Sequence, residues 1–309
     1  FELGMVFYNA MLPTLVPRAM IGRLSGWAWG LGYAGGLAAL VCALFGFIKT
    51  DAPWFGVGTT DAANVRAVTV LAAVWFAIFA LPLFLFTPDQ PALGIRLAPA
   101  ARAGLAALMG TLRRIRDYRG LALFLVAMMC VANGLTTLFA FGGIYAAATF
   151  GLGFEDLLLF GIAMNVTAGL GAAAFGWLDD RLGPKQTILI AVAGLLVLAS
   201  AILAADSKAA FWAAALPLGV FVGPAQAAGR SFMAHAAPPA LRSEMFGLYA
   251  LAGKATNFLG PAVLAWVTAA TASPRAGMAS ILVFFVVGAG LLLPVPDPRG
   301  SVAPPPGKA

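Results

Sequence analysis

An all-helical bundle embedded in a membrane is the fold class this sequence predicts, and three observations predict it. First, long stretches lack Asp, Glu, Lys and Arg altogether: 24–48, 67–88, 120–154, 157–178, 186–205, 209–229 and 276–296. A helix needs roughly 20 apolar residues to cross a hydrocarbon core about 30 Å thick. Second, the 309 residues are 61% hydrophobic and only 10% charged, far less charged than a soluble domain of this size, and include 36 Gly. Third, period-2 alternation is absent, so helices rather than a closed barrel satisfy the backbone in lipid.

In chain order the predicted spans are 1–16, 25–48, 66–87, 119–148, 156–178, 186–205, 209–233, 244–271 and 275–294, about nine in all. Residues 88–118, rich in Arg, Pro and Ala, form the one long interior loop, with a basic amphipathic helix expected from about Ala100 to Arg116. The predicted organisation is therefore 1–87 as the remainder of one half, 88–118 as a central loop, 119–296 as a six-helix half and 297–309 as a tail.

The net charge of +7 need not imply nucleic acid, because the basic residues segregate by loop. Lys49, Arg66, Lys208 and Arg275 fall on one side, Lys254 lies inside a span, and the other 14 of 19 occupy the alternate loops. That basic side, with the central loop and the C-terminal tail, is expected to be cytoplasmic. Abundant Ala and Gly, with Arg favoured over Lys, point to a GC-rich bacterial source and the inner, cytoplasmic membrane. Cys42 and Cys130 lie inside spans and read as small core residues. His235, the single histidine, is expected in a Pro-rich loop and cannot by itself make a metal cluster. No cofactor or metal is expected.

Shifting the chain by 221 residues places Pro17 on Pro238, Gly26 on Gly247 and Asn9 on Arg230. Both regions read as helix, loop with Pro and Arg, then a helix opening on Gly plus an aromatic. On this reading 1–48 corresponds to the fourth and fifth helices of a six-helix half, and the first three helices are expected to be absent from this chain. Twelve spans in two halves is the architecture of many secondary transporters.

Several polar groups stand out inside the spans. Lys254 follows Glu244 by ten residues, placing it about 15 Å deep at 1.5 Å per residue, where an ammonium must face the bundle interior and find a partner. No carboxylate is expected at its depth; Asn257 shares its face. Asn133, Thr136 and Thr137 form a polar ribbon that lines a cavity or bonds to neighbouring helices. Gly223-Pro224 is expected to interrupt its span, with Gln226 and Arg230 following on one face, a gating segment or, for Arg230, a headgroup anchor. Trp27, Trp29 and Tyr33 stand among glycines, and Gly32 with Gly36 makes a small-xxx-small packing step.

A family resemblance rests on specific residues. Gly176-Trp177-Leu178-Asp179-Asp180-Arg181-Leu182-Gly183-Pro184-Lys185 resembles the loop signature of the major facilitator superfamily in its second-half copy, with Pro184 in place of one basic residue. Phe7-Tyr8-Asn9-Ala10-Met11-Leu12-Pro13, Gly223-Pro224-Ala225-Gln226-Ala227 leading to Arg230-Ser231, and Met245-Phe246-Gly247-Leu248-Tyr249 followed by Gly253-Lys254 and Gly260-Pro261 are similar to the vacuole-effluxer branch of that superfamily. The resemblance covers essentially the whole chain. It implies a major facilitator fold, here without its first three helices, and export of an amino acid by alternating access. The family often has Asp where this chain has Asn133, a departure that removes a titratable group.

The expected site follows. Lys254 receives an anionic group of the solute, Asn133, Thr137, Asn165, Gln226 and Asn257 hydrogen-bond it, and Tyr33 and Tyr249 close over its apolar part. Gly176, Asp180, Arg181, Gly183 and Lys185 form a conformational latch, with Gly223, Pro224 and Arg230 as the gate. The expected partners are a small-molecule solute and lipid, with no nucleic acid, and the protein is expected to be a monomer. Two other readings stay open: an integral membrane enzyme holding a divalent metal at Asp179 and Asp180, and a non-transporting scaffold.

Overall fold

Lipid offers the backbone no hydrogen-bond partner, and the chain answers with helix nearly throughout. The computed structural model describes residues 1–50, 52–58, 60–87, 94, 96–113 and 119–300. Among them the helices are α1 (Glu2–Leu15), α2 (Ile21–Ala43), α3 (Ala63–Phe86), α4 (Leu97–Arg113), α5 (Arg119–Phe150), α6 (Phe154–Leu182), α7 (Pro184–Ala204), α8 (Lys208–Ala236), α9 (Arg242–Ala255), α10 (Leu259–Thr271) and α11 (Pro274–Leu292).

Among the described residues, seven helical stretches are long and apolar enough to cross a membrane: Arg18–Ile48, Thr60–Phe86, Arg119–Phe150, Phe154–Leu182, Pro184–Ala204, Lys208–Ala236 and Pro274–Leu292. The other two predicted spans take a different form. α1 has 14 residues, and the segment predicted as one helix over 244–271 is two, of 14 and 13 residues, parted at 256–258. Pro261 has no N–H for the carbonyl of Asn257, four residues earlier. Asn133 on α5 holds the break: its Oδ1 accepts the Gly260 N–H at 2.9 Å and its Nδ2 donates to Thr256 Oγ1 at 3.0 Å.

The interruption expected at Gly223-Pro224 is not there, since α8 runs unbroken through Pro217 and Pro224. Pro224 leaves the Val220 carbonyl without its helical donor, and that carbonyl lies on Gly171 of α6, where any Cβ would collide with it. Gly219 sits likewise over Thr167, and Gly223 over Ala168 and Ala172. The Gly-Pro pair thus belongs to a seam of close backbone approach between α6 and α8.

A second seam joins α2 to α6, and it starts earlier along α2 than the sequence suggested. Gly22, Gly26 and Gly30 meet Asp179 with Asp180, Ala172 with Gly176, and Gly169 in turn, whereas a Cβ added to Gly32 or Gly36 would have no atom within 4 Å. Trp27 packs edge-on against Trp177 with ring centroids 5.3 Å apart.

The chain divides into two units, Phe1–Leu31 with Ala101–Ala309, and Gly32–Ala100. The smaller is built on α3, whose apolar window has a mean hydropathy of 2.5 and no buried residue. Within this unit Asn64 Nδ2 donates to the Phe47 carbonyl at 3.0 Å, and Trp54 packs on Phe47 and Gly46. The predicted amphipathic helix is α4, ending at Arg113, where Thr111 Oγ1 donates to Glu244 Oε2 at 2.6 Å. Its expected extension over 114–116, and the tail over 301–309, lie outside the described residues.

The glycine seams give a stability test. Gly26→Val or Gly171→Val forces a side chain into backbone and should destabilise the protein by about 1–3 kcal/mol or more. Gly32→Ala serves as the tolerated control. Thermal unfolding in detergent should rank both valine variants below the parent and the control beside it.

Candidate functional site

Helices α1, α2, α5, α8 and α9 surround a cavity of about 380 Å³ within the larger unit. Of the residues expected to bind solute, Lys254, Asn257, Gln226 and Tyr249 line it, and so does Arg230. Thr136, of the ribbon expected to line a cavity, lines it too, as do Trp29 and the residues Glu2 and Asn9, to which the sequence gives no part in binding.

Lys254 Nζ lies 2.8 Å from Glu2 Oε1, so the expectation that no carboxylate shares its depth is corrected. The pairing follows from antiparallel helices. His235, at the end of α8, approaches the Arg18 carbonyl just past α1, which puts the end of α1 beside the start of α9. Counting inward at 1.5 Å per residue, Lys254 is about 18 Å from Arg242 and Glu2 about 20 Å from Leu15. Both therefore sit near the middle of a bilayer core.

Arg230 is 3% exposed. Its Nη1 donates to Asn9 Oδ1 at 3.1 Å, its Nη2 donates to the Ser25 carbonyl at 2.7 Å, and its guanidinium lies 4.6 Å from the centre of the Trp29 ring. Neutral acceptors and an aromatic face replace the water it loses. Ser25 Oγ returns the contact by donating to the Ala227 carbonyl at 2.7 Å. Asn9 and Arg230 are the residues superposed by the 221-residue shift. In a two-fold arrangement a residue touches its own mate only beside the axis, so a contact between these two residues is the one the proposed repeat would place there.

The polar ribbon on α5 divides. Thr136 faces the cavity, while Asn133 and Thr137 are buried and turn to α10: Asn133 is committed to the break described above, and Thr137 Oγ1 donates to the Asn133 carbonyl at 2.8 Å. Asn165 Nδ2 donates back to the Gly161 carbonyl at 2.8 Å, away from the cavity lining. Tyr33 belongs to the smaller unit. Gly223 and Pro224 lie in the α6–α8 seam.

At the basic end, the expected latch residues are drawn together. Asp180 Oδ1 accepts the N–H groups of Gly22 and Arg23 at 2.8 and 3.3 Å, and Oδ2 accepts Arg23 Nε at 2.5 Å. A carboxylate at the first turn of α2 also meets the positive end of that helix. Gly176 packs on the backbone of Gly22 and Arg23. Gly183 ends α6 at φ 100°, and the Arg299 guanidinium lies against it, donating to the carbonyls of Arg181 and Leu182. Lys185 Nζ donates to the Leu293 carbonyl at 2.7 Å. Burial pushes the Asp297 carboxyl up, but the hydrogen bonds from Arg299 outweigh it and hold it below the ordinary carboxylate range.

His235 is corrected: it lies in the last turn of α8, buried, between the Ser231 and Arg18 carbonyls. Asp179 is buried under Gly22, and no cluster of three or more His, Cys, Asp or Glu able to hold a metal occurs among the described residues. With Asp180 already occupied by α2, the pair offers little to a divalent ion.

Asn9 of α1 meets Arg230 of α8 beside a cavity lined by α1, α2, α5, α8 and α9, and the Gly-x-x-x-Asp-Arg-x-Gly motif at the end of α6 reaches the start of α2; the fold is one that solved transporters of the major facilitator superfamily share. Residues 1–303 match the family model described as "Vacuole effluxer Atg22 like", and the chain belongs to that family. It is 25% identical over 293 residues to the uncharacterized MFS-type transporter YxiO of Bacillus subtilis (strain 168), covering 94% of this chain and 67% of YxiO. It is 23% identical over 271 residues to Autophagy-related protein 22-2 of Aspergillus clavatus, covering 80% of this chain and 43% of that protein. The chain thus spans about half the length of such fungal relatives. Among solved structures it shares its fold with FucP in the outward conformation, at a TM-score of 0.70 and 13% identity over 93% of this chain and 71% of FucP. A bacterial homologue of the iron transporter ferroportin in its outward-facing state gives 0.65 at 14% identity, covering 91% of this chain and 65% of that one.

The Asp180 contacts yield a graded prediction. Asp180→Ala strands the Arg23 guanidinium and two N–H groups and should cost about 1–3 kcal/mol. Asp180→Asn keeps an acceptor for Gly22 and should lose about half as much. Unfolding midpoints of the two variants in detergent provide the check.

Proposed function

We propose that this chain forms the working part of a secondary transporter that exports a small polar solute, an amino acid, by alternating access. The observation that supports the reading is the cavity: α1 and α2 line one side and α5, α8 and α9 the other, as two rocking halves would require, and Lys254 and Glu2 stand on its wall. A site at the midplane between repeats is where rocking exposes a solute to each face in turn. Lys254 offers a charge-assisted donor, Gln226, Asn257 and Thr136 offer neutral polar groups, and Met5, Val6 and Leu135 an apolar wall.

In this reading the basic end lies in the cytoplasm, following the placement of Arg and Lys, and the protein works as a monomer in the cytoplasmic membrane. Asp180, Arg181, Gly183 and Lys185 brace the closed cytoplasmic side, and Arg230 pins the repeats together through Asn9 and Ser25. Opening that side requires these contacts to be given up, so each biases the two states by its own free energy.

Replacing Lys254 with Ala should lower amino-acid export by tenfold or more while the amount of protein in the membrane stays unchanged. Efflux of a preloaded labelled amino-acid mixture, normalised to membrane-inserted protein, measures this. Export at the parental rate would refute the role given to Lys254.

A further inference from the structure

Four other ion pairs among the described residues tie helix ends or the loops beside them: Arg23 with Asp180, Lys208 with Asp156, Arg275 with Asp206 and Arg299 with Asp297. The pair between Glu2 and Lys254 differs in standing on the cavity wall at mid-depth. Its side chains are also 54% and 60% exposed, and both residues line the cavity.

We propose that Glu2 and Lys254 read the two charges of a zwitterionic solute by exchanging partners with it. The solute's ammonium group replaces Lys254 at the Glu2 carboxylate, and its carboxylate replaces Glu2 at Lys254 Nζ. This rests on the transporter reading above and adds to it a recognition role for Glu2.

Three features support the exchange. Exchange with a zwitterion leaves both side chains paired throughout, so the pair can be given up to such a ligand without stranding either charge. Glu2 is the one carboxylate lining the cavity among the described residues, so it is the place for a cationic group, while Arg230 is already engaged with Asn9 and Ser25. A solute with only one charge would leave either Glu2 or Lys254 unpaired in a low-dielectric site, a penalty that turns into discrimination. Charge balances with and without the zwitterion, so the empty carrier returns with its own charges paired.

The test uses the protein in proteoliposomes. Counterflow with a labelled amino-acid mixture first identifies the amino acid exchanged fastest; that compound then competes against its decarboxylated amine and its deaminated acid. For the parent protein both analogues should be at least tenfold weaker competitors than the amino acid. Glu2→Gln should weaken the amino acid at least tenfold and raise the acid analogue to match it, and Lys254→Met should do the same for the amine. Exchanging the pair, Glu2→Lys with Lys254→Glu, should retain the preference for the zwitterion, which separates charge reading from a failure to fold. Analogues that compete as well as the amino acid, or single variants that keep the parental preference, would overturn the proposal and leave the transporter reading standing. A parent protein that exchanges other solutes but no amino acid would overturn the amino-acid reading and this proposal with it.

Discussion

An ionised side chain inside a bilayer has to be solvated by the protein itself, and the way Arg230, Lys254 and Glu2 achieve this organises the rest of the molecule. A charge at the centre of a membrane helix costs roughly 3 kcal/mol even on insertion scales. Arg230 offsets that with two neutral acceptors and the Trp29 ring, Lys254 and Glu2 with each other. In each case the partners come from α1 or α2 on one side and α8 or α9 on the other. The requirement to neutralise charge in lipid therefore also ties α1 and α2 to α8 and α9.

Around those contacts the chain uses small residues to bring helices close without immobilising them by interlocked side chains. The seams of Gly22, Gly26 and Gly30 on α6, and of Gly171 on Val220, let backbones touch. In lipid, where apolar side chains gain nothing by leaving one hydrocarbon for another, this backbone proximity supplies much of the association energy. Polar contacts concentrate instead at the basic end, where Asp180 caps α2 and Arg299 caps α6. Such an arrangement suits a rigid-body motion: hydrogen bonds and ion pairs define the end state, and the seams keep the helices in contact.

The sequence made the membrane bundle, the basic end and the loop signature legible, because each is a matter of composition or local spacing. Lys254, Gln226, Tyr249 and Asn257 reach the cavity as their helical positions implied. Errors arose where the answer depended on rotation about a helix axis or on a distant partner. Thr136 and Thr137 differ by one residue, about 100° of turn, and only the first faces the cavity. The Gly-Pro motif in α8 signals a break by local rules, yet Gly171 across the seam accommodates the freed Val220 carbonyl and the helix continues. The break that does occur, after Ala255, depends on Asn133, 127 residues before Gly260. Glu2 is invisible to a depth count along a single span; its meeting with Lys254 requires α1 and α9 to run antiparallel in contact. The 221-residue shift aligns Asn9 with Arg230, and that alignment is the sequence sign of their contact.

The most direct test of the central claim, that lipid surrounds the bundle and its interior polar groups border a watered passage, is residue-by-residue accessibility in the native membrane. With Cys42 and Cys130 replaced by serine, single cysteines would be placed at Ala250 and Gly253 on the cavity wall and at Phe79 and Trp266 on exposed apolar faces. Ala250→Cys and Gly253→Cys should react with a small water-soluble thiosulfonate and be protected by amino acid, while Phe79→Cys and Trp266→Cys should remain unlabelled. Rapid labelling at positions 79 and 266, with none at 250 and 253, would contradict the account.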